Sequence, residues 1–266
     1  MTQWHNVTGK PLSSQEWLLT HHFAKIDSRK NFVSKLLSFN PKKIVDLGCG
    51  IGLWLELLNE MAPLDCELIG LDTDTLALDE AKRRSQNWSR SVDFINTDFT
   101  NELSIPDADM YLAFNIFPYI FDAENFLRKL YSKVGNQKIL VIRQYDGGML
   151  RFGPMKQSYR MDLDIALFNS VNGNDSFHHY DMDRVFELLN QSDFKQKDMN
   201  FELFQAFSPY SNEFIKYLSK TIEWNMLYVN EPVRNDLKKW LENYLLSSTQ
   251  DKNSYFIGID LVAILA

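Results

Sequence analysis

The segment Ile44-Val45-Asp46-Leu47-Gly48-Cys49-Gly50-Ile51-Gly52 is the most informative part of the chain about its fold. An apolar run that ends in an acid and is followed by three alternating glycines is typical of a strand that turns sharply into a helix. Glycine tolerates positive φ and has no Cβ, so main-chain N–H groups and a helix N-terminus can approach a ligand closely. The spacing is Gly-x-Gly-x-Gly, which differs from the Gly-x-Gly-x-x-Gly of a dinucleotide-binding fold. The segment therefore predicts a site where the backbone contacts a bound ligand.

Predicted strands and helices alternate around this segment. A helix is predicted over 12–39, where Ser13 and Glu16 form a capping box. Six further apolar segments are predicted to be strands, at 68–72, 92–95, 110–114, 139–142, 201–207 and 255–265. Continuous apolar strands separated by helices indicate a parallel sheet covered on both faces. We therefore predict an α/β fold with a doubly wound, mostly parallel, seven-stranded sheet.

Composition limits the classes of partner. The 28 basic and 35 acidic residues give a net charge of -7 without a basic run, which disfavours nucleic acid as the main partner and leaves a tRNA or a basic peptide open. Two cysteines, Cys49 and Cys66, are too few for a disulfide framework or a zinc site. No stretch approaches the ~20 apolar residues of a membrane span, and the N-terminus lacks a signal-peptide core. We expect a cytoplasmic protein without a membrane anchor.

The segment Val45-Asp46-Leu47-Gly48-Cys49-Gly50-Ile51-Gly52 resembles the first motif of class I S-adenosylmethionine-dependent methyltransferases. The later motifs of this family follow in order. Asp72 closes the second strand 24 residues after Gly48, where the family keeps an acid that accepts bonds from both ribose hydroxyls. Asp98-Phe99 closes the third strand, where the family reads adenine with an acidic group and an apolar wall. The resemblance covers roughly residues 40–146 and implies S-adenosylmethionine as cofactor.

By the same resemblance, Asp46 orients the glycine loop and meets the methionine amino group, and Asn115 lies near the sulfonium. Asn115 opens the sequence Asn115-Ile116-Phe117-Pro118-Tyr119, which is only loosely like the Asn-Pro-Pro-Tyr loop of enzymes that methylate adenine N6 or glutamine amides. Those substrates are therefore disfavoured. The cofactor-binding residues implied are Asp46, Gly48, Cys49, Gly50, Gly52, Asp72, Thr73, Asp98, Phe99 and Asn115.

The resemblance also divides the chain. We predict a single methyltransferase domain over 1–266, with an N-terminal helical cap at 12–39 and a cofactor-binding half at 40–146. The half at 147–266 is predicted to bind the acceptor, with helical insertions that build a lid and a terminal hairpin. The sequence carries no signal for an oligomeric state.

Two arginines are candidates for acceptor binding. Arg143 and Arg151 flank a glycine-containing loop that leaves the carboxyl end of the fifth strand and so faces the acceptor pocket in this architecture. An acceptor carboxylate is ionised at neutral pH, so it needs no general base, only a bidentate clamp that aims one oxygen at the methyl group. The alternative is a structural ion pair with Asp146 or Asp181.

A second set of candidates is His178-His179-Tyr180, which precedes a capped helix. A histidine with a pKa near neutrality can take a proton from a phenol, alcohol or amine acceptor. The alternative is a surface loop. We predict no metal site, because no matching cluster of Cys, His or carboxylate residues accompanies the two histidines.

The predicted function is methyl transfer from S-adenosylmethionine to an oxygen of a small metabolite or modified peptide. A carboxylate acceptor, for example a peptide C-terminus, is favoured over a hydroxyl, and the added helices resemble those of bacterial tailoring enzymes. Two alternatives stay open: a non-catalytic S-adenosylmethionine-binding module, and an aminopropyl transferase on the same fold, for which Asp107-Ala108-Asp109 is a faint hint. Asp260, within the last apolar strand, needs a buried partner.

Overall fold

A computed structural model describes residues 14–100, 104–135, 137–145, 147–171, 182–195, 197–247 and 253–266, which form eight strands and nine α-helices. The strands are β1 (Lys43–Leu47), β2 (Glu67–Asp72), β3 (Val92–Asn96), β4 (Met110–Phe114), β5 (Ile139–Tyr145), β6 (Arg151–Gly153), β7 (Lys197–Phe207) and β8 (Tyr255–Leu265). The helices are α1 (Gln15–Ala24), α2 (Ile26–Leu37), α3 (Leu53–Met61), α4 (Thr75–Ser85), α5 (Ala123–Val134), α6 (Gln157–Val171), α7 (Met182–Gln191), α8 (Asn212–Tyr228) and α9 (Val233–Trp240), which continues as a π-helical turn over Leu241–Leu245.

All the described strands join one sheet, in which β1 to β5 pair in parallel in the order β3-β2-β1-β4-β5. Strand β8 runs antiparallel to its three neighbours β5, β6 and β7. This arrangement confirms the predicted doubly wound, mostly parallel sheet, to which the short β6 adds an eighth strand. The strand order reverses between β1 and β4, and ligands of such sheets bind outside the carboxyl ends of the strands at this point.

Helices cover both faces of the sheet. On one face α5 and α7 pack against β4 and β5 with a buried core that includes Phe126, Leu130 and Val185. On the other face α2, α3 and α4 pack with Leu36 and Leu57 among their buried contacts. A third cluster joins α6, α8 and α9 to β6 and β8. The second half of the chain thus extends the same sheet.

The N-terminal helix predicted over 12–39 is two helices. α1 and α2 are separated at Lys25, and α1 packs along α8. The N-cap is Ser14, whose hydroxyl accepts a hydrogen bond from Trp17 N at 3.1 Å. Ser13, the predicted cap, lies outside the described residues. Within the described ranges, no helix combines the length and the apolar composition that crossing a bilayer requires.

Candidate active site

The glycine loop between β1 and α3 depends on left-handed backbone. Gly48, Gly50 and Gly52 have φ of 75°, 53° and 79°. Residues with a Cβ lose roughly 1–2 kcal/mol in this region. The loop is tied to the neighbouring strand, because Gly48 N and Cys49 N both donate to Leu71 O, at 2.8 and 2.9 Å. The alternating glycines are therefore required by local conformation.

The space beside the three glycines differs. A Cβ on Gly48 would lie 2.5 Å from Ile116 Cγ2, so this glycine lets the segment after β4 approach the loop. A Cβ on Gly50 would meet nothing nearer than Leu18 Cδ1, at 4.0 Å. Gly52 is the N-cap of α3 and provides no side-chain cap to its first turn. The loop thus has open space beside Gly50. At Gly52, the first N–H groups of α3 have no side-chain cap.

Asp72, at the end of β2, holds this loop in place. Its Oδ2 accepts from Gly50 N at 2.8 Å, and its Oδ1 accepts from Asp74 N at 2.9 Å. Burial raises the pKa of Asp72, and these N–H groups oppose that rise. The adjacent Thr73 carbonyl accepts from the amide of Asn96 in β3, at 3.1 Å. The carboxyl ends of β1, β2 and β3 are therefore connected by short polar contacts.

Asp46 is the least satisfied group of the site. Its side chain is 1% exposed, and its Oδ2 has no hydrogen-bond partner among the described residues. Burial, with a smaller contribution from Asp72, raises the pKa of Asp46 to about 7. A buried acceptor without a donor is unfavourable. The geometry suits a ligand that brings a donor, and an ammonium group would suit the ionised carboxylate.

Asp98 and Phe99 follow β3. Asp98 is exposed, and its Oδ1 accepts from the backbone N and the hydroxyl of Thr100, at 3.0 and 2.6 Å. Phe99 is buried, with its ring centre 6.0 Å from that of Phe126 and its edge close to Gly48. The pair places one polar acid and one apolar wall at the same edge as the glycine loop. Their roles toward adenine stay a prediction.

Asn115, just after β4, joins two strands. Its N donates to Arg143 O at 2.8 Å, and its side-chain Oδ1 accepts from Tyr145 N at 2.7 Å. Its φ is 56°, a sparsely populated value for a residue with a side chain. Such strain persists where surrounding contacts over-determine it and is enriched at functional sites. Asn115 therefore fixes the carboxyl ends of β4 and β5 beside the glycine loop.

The arginines predicted to clamp an acceptor are engaged within the protein. Arg143 is 5% exposed and pairs with Asp260 at 2.7 Å and Glu202 at 2.6 Å. Arg151 pairs with Asp164 at 3.0 Å, and both of those side chains are largely exposed. The sequence analysis gave a structural ion pair as the alternative to an acceptor clamp, but with Asp146 or Asp181 as the partner. Arg143 also supplies the missing partner of the buried Asp260.

His178, His179 and Tyr180 lie outside the described residues, so their role stays a prediction. Next to Arg151, the ring of Phe152 is completely buried and packs in the core against Trp240. The described part of the chain contains no group of three or more His, Cys, Asp or Glu side chains arranged to hold a metal ion.

Sequence reasoning missed a basic cluster on α1 and α2. His21 lies on α1, Lys25 at the break between the helices and Arg29 on α2, and Lys25 and Arg29 are 4% and 8% exposed. Arg29 Nη1 lies 2.6 Å from Nδ1 of His22. The available signal was the four-residue spacing of His21, Lys25 and Arg29 among apolar positions of the predicted helix at 12–39. It is easily overlooked, because such residues usually face solvent.

Several known proteins resemble this chain. A family model described as a methyltransferase domain matches residues 44–135. The carboxy-S-adenosyl-L-methionine synthase of Nautilia profundicola is 25% identical over 203 residues, which are 69% of this chain and 82% of that protein. The trans-aconitate 2-methyltransferase of Rhodopseudomonas palustris strain BisB5 is 27% identical over 135 residues, or 49% of this chain and 51% of that protein.

A solved structure has a similar fold. The phosphoethanolamine N-methyltransferase 2 of Haemonchus contortus, in complex with phosphomonomethylethanolamine and S-adenosylhomocysteine, superposes with a TM-score of 0.51 at 14% identity. The match covers 93% of this chain and 56% of that one. At this identity the likeness concerns the fold.

Proposed function

This chain is a class I S-adenosylmethionine-dependent methyltransferase, and we propose that it methylates a carboxylate oxygen of a small metabolite or modified peptide. The cofactor is S-adenosylmethionine. The acceptor is assigned from the charge of the site. The single observation that carries it is the pair of buried cations, Lys25 and Arg29, which lie beside the carboxyl end of β5 and the start of α3.

The described residues fit this cofactor. The unpaired Oδ2 of Asp46 would accept from the methionine amino group, and the room beside Gly50 would admit the ligand close to the backbone. Asp72 would exchange part of its contact with Gly50 N for the ribose hydroxyls, since a carboxylate has two acceptor oxygens. Phe99 would provide an apolar wall for adenine, and Asp98 an acceptor for its amino group.

When bound, the cofactor supplies an electrophilic methyl group on a sulfonium. The protein's part is mainly to position the acceptor, because in-line transfer to an ionised carboxylate requires no proton removal. Asn115 fixes the two strand ends between which the acceptor would lie. The aromatic side chains nearby, among them Tyr145 and Trp54, would exclude water and so strengthen the attraction between ionic groups.

One further observation favours a carboxylate acceptor, and another disfavours the aminopropyl alternative. The name of the Rhodopseudomonas relative denotes an acceptor that carries carboxylates. The hint of an aminopropyl transferase lies at the wrong end of the sheet, because Asp109 accepts from Lys42 N and Lys43 N at the start of β1. Asp107 pairs with Lys138, just before β5. Neither acid can reach a substrate at the carboxyl ends.

The test is to incubate the purified protein with methyl-labelled S-adenosylmethionine and a panel of metabolites and peptides with free or amidated carboxyl groups. Mass spectrometry should detect label on free carboxylates, together with S-adenosylhomocysteine, which distinguishes transfer from modification of the cofactor itself. The product should lose its label in mild base, as an ester does. Base-stable label on an amine or hydroxyl would refute the carboxylate assignment, and cofactor binding without transfer to any member of the panel would favour the non-catalytic module.

A further inference from the structure

Three cations are buried where α1 and α2 face the end of β5. Lys25, Arg29 and Arg143 are 4%, 8% and 5% exposed. Two carboxylates, Asp260 and Glu202, accompany them. The cluster therefore carries one more positive than negative charge. A buried ion without a counter-ion costs several kcal/mol, so the surplus indicates a place for an anion.

Arg143 forms ion pairs with both of these carboxylates. Its Nε and Nη2 donate to Asp260 Oδ2 at 2.8 and 2.7 Å, and its Nη1 donates to Glu202 Oε2 at 2.6 Å. Among the described residues, neither Lys25 nor Arg29 forms an ion pair. The surplus charge is thus located on these two side chains, which lie four residues apart.

Lys25 is surrounded by aromatic rings. Its Nζ lies 5.1 Å from the ring centre of Phe204 and 5.7 Å from those of Tyr145 and Tyr217, with no acceptor at hydrogen-bond distance in the described chain. A cation over an aromatic ring gains less than the cost of removing its charge from water. Burial lowers the pKa of Lys25 to about 8, so the ammonium form still predominates near neutrality. The rings alone do not compensate the charge.

Among the described residues, the close contacts of Arg29 are with neutral groups, and Asp260 attracts it without forming an ion pair. Its Nη1 lies 2.6 Å from His22 Nδ1, and its guanidinium lies 4.6 Å from the ring centre of Trp54. Burial and the neighbouring guanidinium lower the pKa of His22 to about 3, so this histidine is uncharged near pH 7. Trp54 is the second residue after Gly52. Arg29 is therefore a buried cation without an ion-pair partner in the described chain, close to the glycine loop.

The position of the pair relates it to the site. Tyr145, the last residue of β5, is held by the Asn115 side chain and stands beside Lys25. Lys25 also directly precedes α2, whose first N–H groups carry partial positive charge. The two side chains and the helix end all favour an anion at the carboxyl edge of the sheet.

We propose that Lys25 and Arg29 form a carboxylate-binding site that a ligand, and not the protein itself, completes. The proposal rests on the proposed function for its place beside the methyl donor. Two carboxylates have the charge that this site requires: that of the acceptor and that of the methionine moiety of the cofactor. The contacts of Lys25 with rings of β5 and β7 point to the acceptor side, and the stacking of Arg29 on Trp54 points to the cofactor side.

The experiment measures binding by calorimetry, without turnover. Wild-type protein, Lys25→Met and Arg29→Met are titrated with benzoate in the presence of saturating S-adenosylhomocysteine, and benzamide is the neutral control of the same shape. In a second arm, S-adenosylhomocysteine is compared with its decarboxylated analogue, which keeps the amine. Lys30→Met is the matched control variant, because Lys30 neighbours Arg29 on the same helix with a side chain that is 47% exposed.

The proposal expects at least about a tenfold loss of affinity for one carboxylate ligand in Lys25→Met or Arg29→Met, since a hydrogen bond to a charged group contributes ~1.5–3 kcal/mol. A loss confined to benzoate assigns the site to the acceptor, and a loss confined to S-adenosylhomocysteine assigns it to the cofactor. Unchanged affinity for both ligands would overturn the proposal. Equal losses for a carboxylate and its neutral analogue would overturn it as well, because they would indicate a change of shape.

Thermal unfolding without ligand separates this role from a structural one. Lys25→Met removes a desolvated charge and keeps most of the apolar volume, so the variant should unfold at a higher temperature than the wild type. A lower temperature would mean that the ammonium stabilises the protein and would count against the proposal. If charge-dependent binding is found and no ester forms in the methylation assay, the proposed function fails and the carboxylate site stands.

Discussion

Asp46 is a carboxylate buried at the start of the glycine loop with one oxygen unpaired among the described residues. Burial raises its pKa to about 7, above the ordinary value of 3.8. The native state therefore binds more protons than the unfolded state between these values. The free energy of unfolding therefore includes a contribution from protonated Asp46. This contribution is fully present below about pH 4 and is lost as the pH rises through about 7.

The Asp46→Asn variant should remove this pH dependence. In the wild type, S-adenosylhomocysteine should bind more tightly as the pH rises through about 7, because its amino cation pairs with the ionised carboxylate. In Asp46→Asn the affinity should be lower and should not rise over this interval. Calorimetric titrations across the pH range measure both effects. A pH-dependent affinity that survives in the variant would show that another group titrates.

Asp72 is predicted to bind the ribose, and it also anchors the loop through Gly50 N. Asp72→Ala should weaken S-adenosylhomocysteine binding by ~1.5–3 kcal/mol, because a charged acceptor is lost. Asp74→Ala is the control, since Asp74 caps α4 by accepting from Leu76 N at 3.0 Å. It should cost ~1 kcal/mol of stability and leave the dissociation constant unchanged. Equal affinities for wild type and Asp72→Ala would remove Asp72 from the site.

Among the structural elements, the glycine loop combines conformation with access. Gly50→Ala places a Cβ in a left-handed position and in the space assigned to the ligand. Cofactor binding should fall sharply, with a loss of stability of roughly 1–2 kcal/mol. Gly135→Ala is the matched control, because Gly135, at the C-terminal end of α5, also has a positive φ of 62°, and a Cβ there would have no neighbour within 4 Å.

Calorimetry and denaturant unfolding together decide this prediction. Both glycine variants should lose stability, and only Gly50→Ala should lose affinity for S-adenosylhomocysteine. If the two variants bind the ligand equally well, the room beside Gly50 does not belong to the cofactor site. Gly50→Arg should abolish binding altogether, since the larger side chain fills the same space.

The ion pairs of β5 and β6 differ by their burial. Arg143→Ala leaves Asp260 and Glu202 without their shared partner, so it should destabilise the protein by ~3–5 kcal/mol. Arg151→Ala removes an exposed pair with Asp164 and should cost no more than ~1 kcal/mol. Urea unfolding of the two variants gives the comparison. Similar small losses for both would show that the buried network contributes little to folding.

The helices and strands of the first half follow closely from local sequence. The apolar segment predicted at 68–72 lies within β2, and α5 has local signals at both ends, since Asp122 caps it and Gly135 ends it. The break between α1 and α2 at Lys25 has no glycine or proline to announce it. It depends on packing against α8 and the sheet, which no local pattern contains.

In the molecule as a whole, the two halves of the chain share one sheet, because β8 pairs with β5 on one side and with β7 on the other. We predict a single cooperative unfolding transition for residues 1–266. S-Adenosylhomocysteine at about 100 times its dissociation constant should stabilise the native state by ~2.7 kcal/mol and raise this transition as a whole. Two separate calorimetric transitions, of which only one moves with ligand, would contradict the single-domain prediction.

Local sequence was sufficient to predict the glycine loop and the strand that ends at Asp72. The backbone at Gly48, Gly50 and Gly52 requires positive φ, so the residue type there reports the local conformation directly. Asp72 could be placed because it follows a short apolar strand at a fixed offset from the loop. The conformation of the glycine loop and the end of β2 depend on residues that are close in sequence, so a local pattern can predict them.

The acceptor end, by contrast, depends on contacts between distant segments. Arg143 and Asp260 are 117 residues apart and meet because β5 and β8 are adjacent in the sheet. Lys25 becomes a buried cation because rings from β5, β7 and α8 pack around it. The charge of a side chain is visible in the sequence, whereas its burial and its counter-ion depend on which distant segments pack against it. The glycine loop therefore identified the methyl donor, and the fold located the unpaired charges that we assign to a carboxylate.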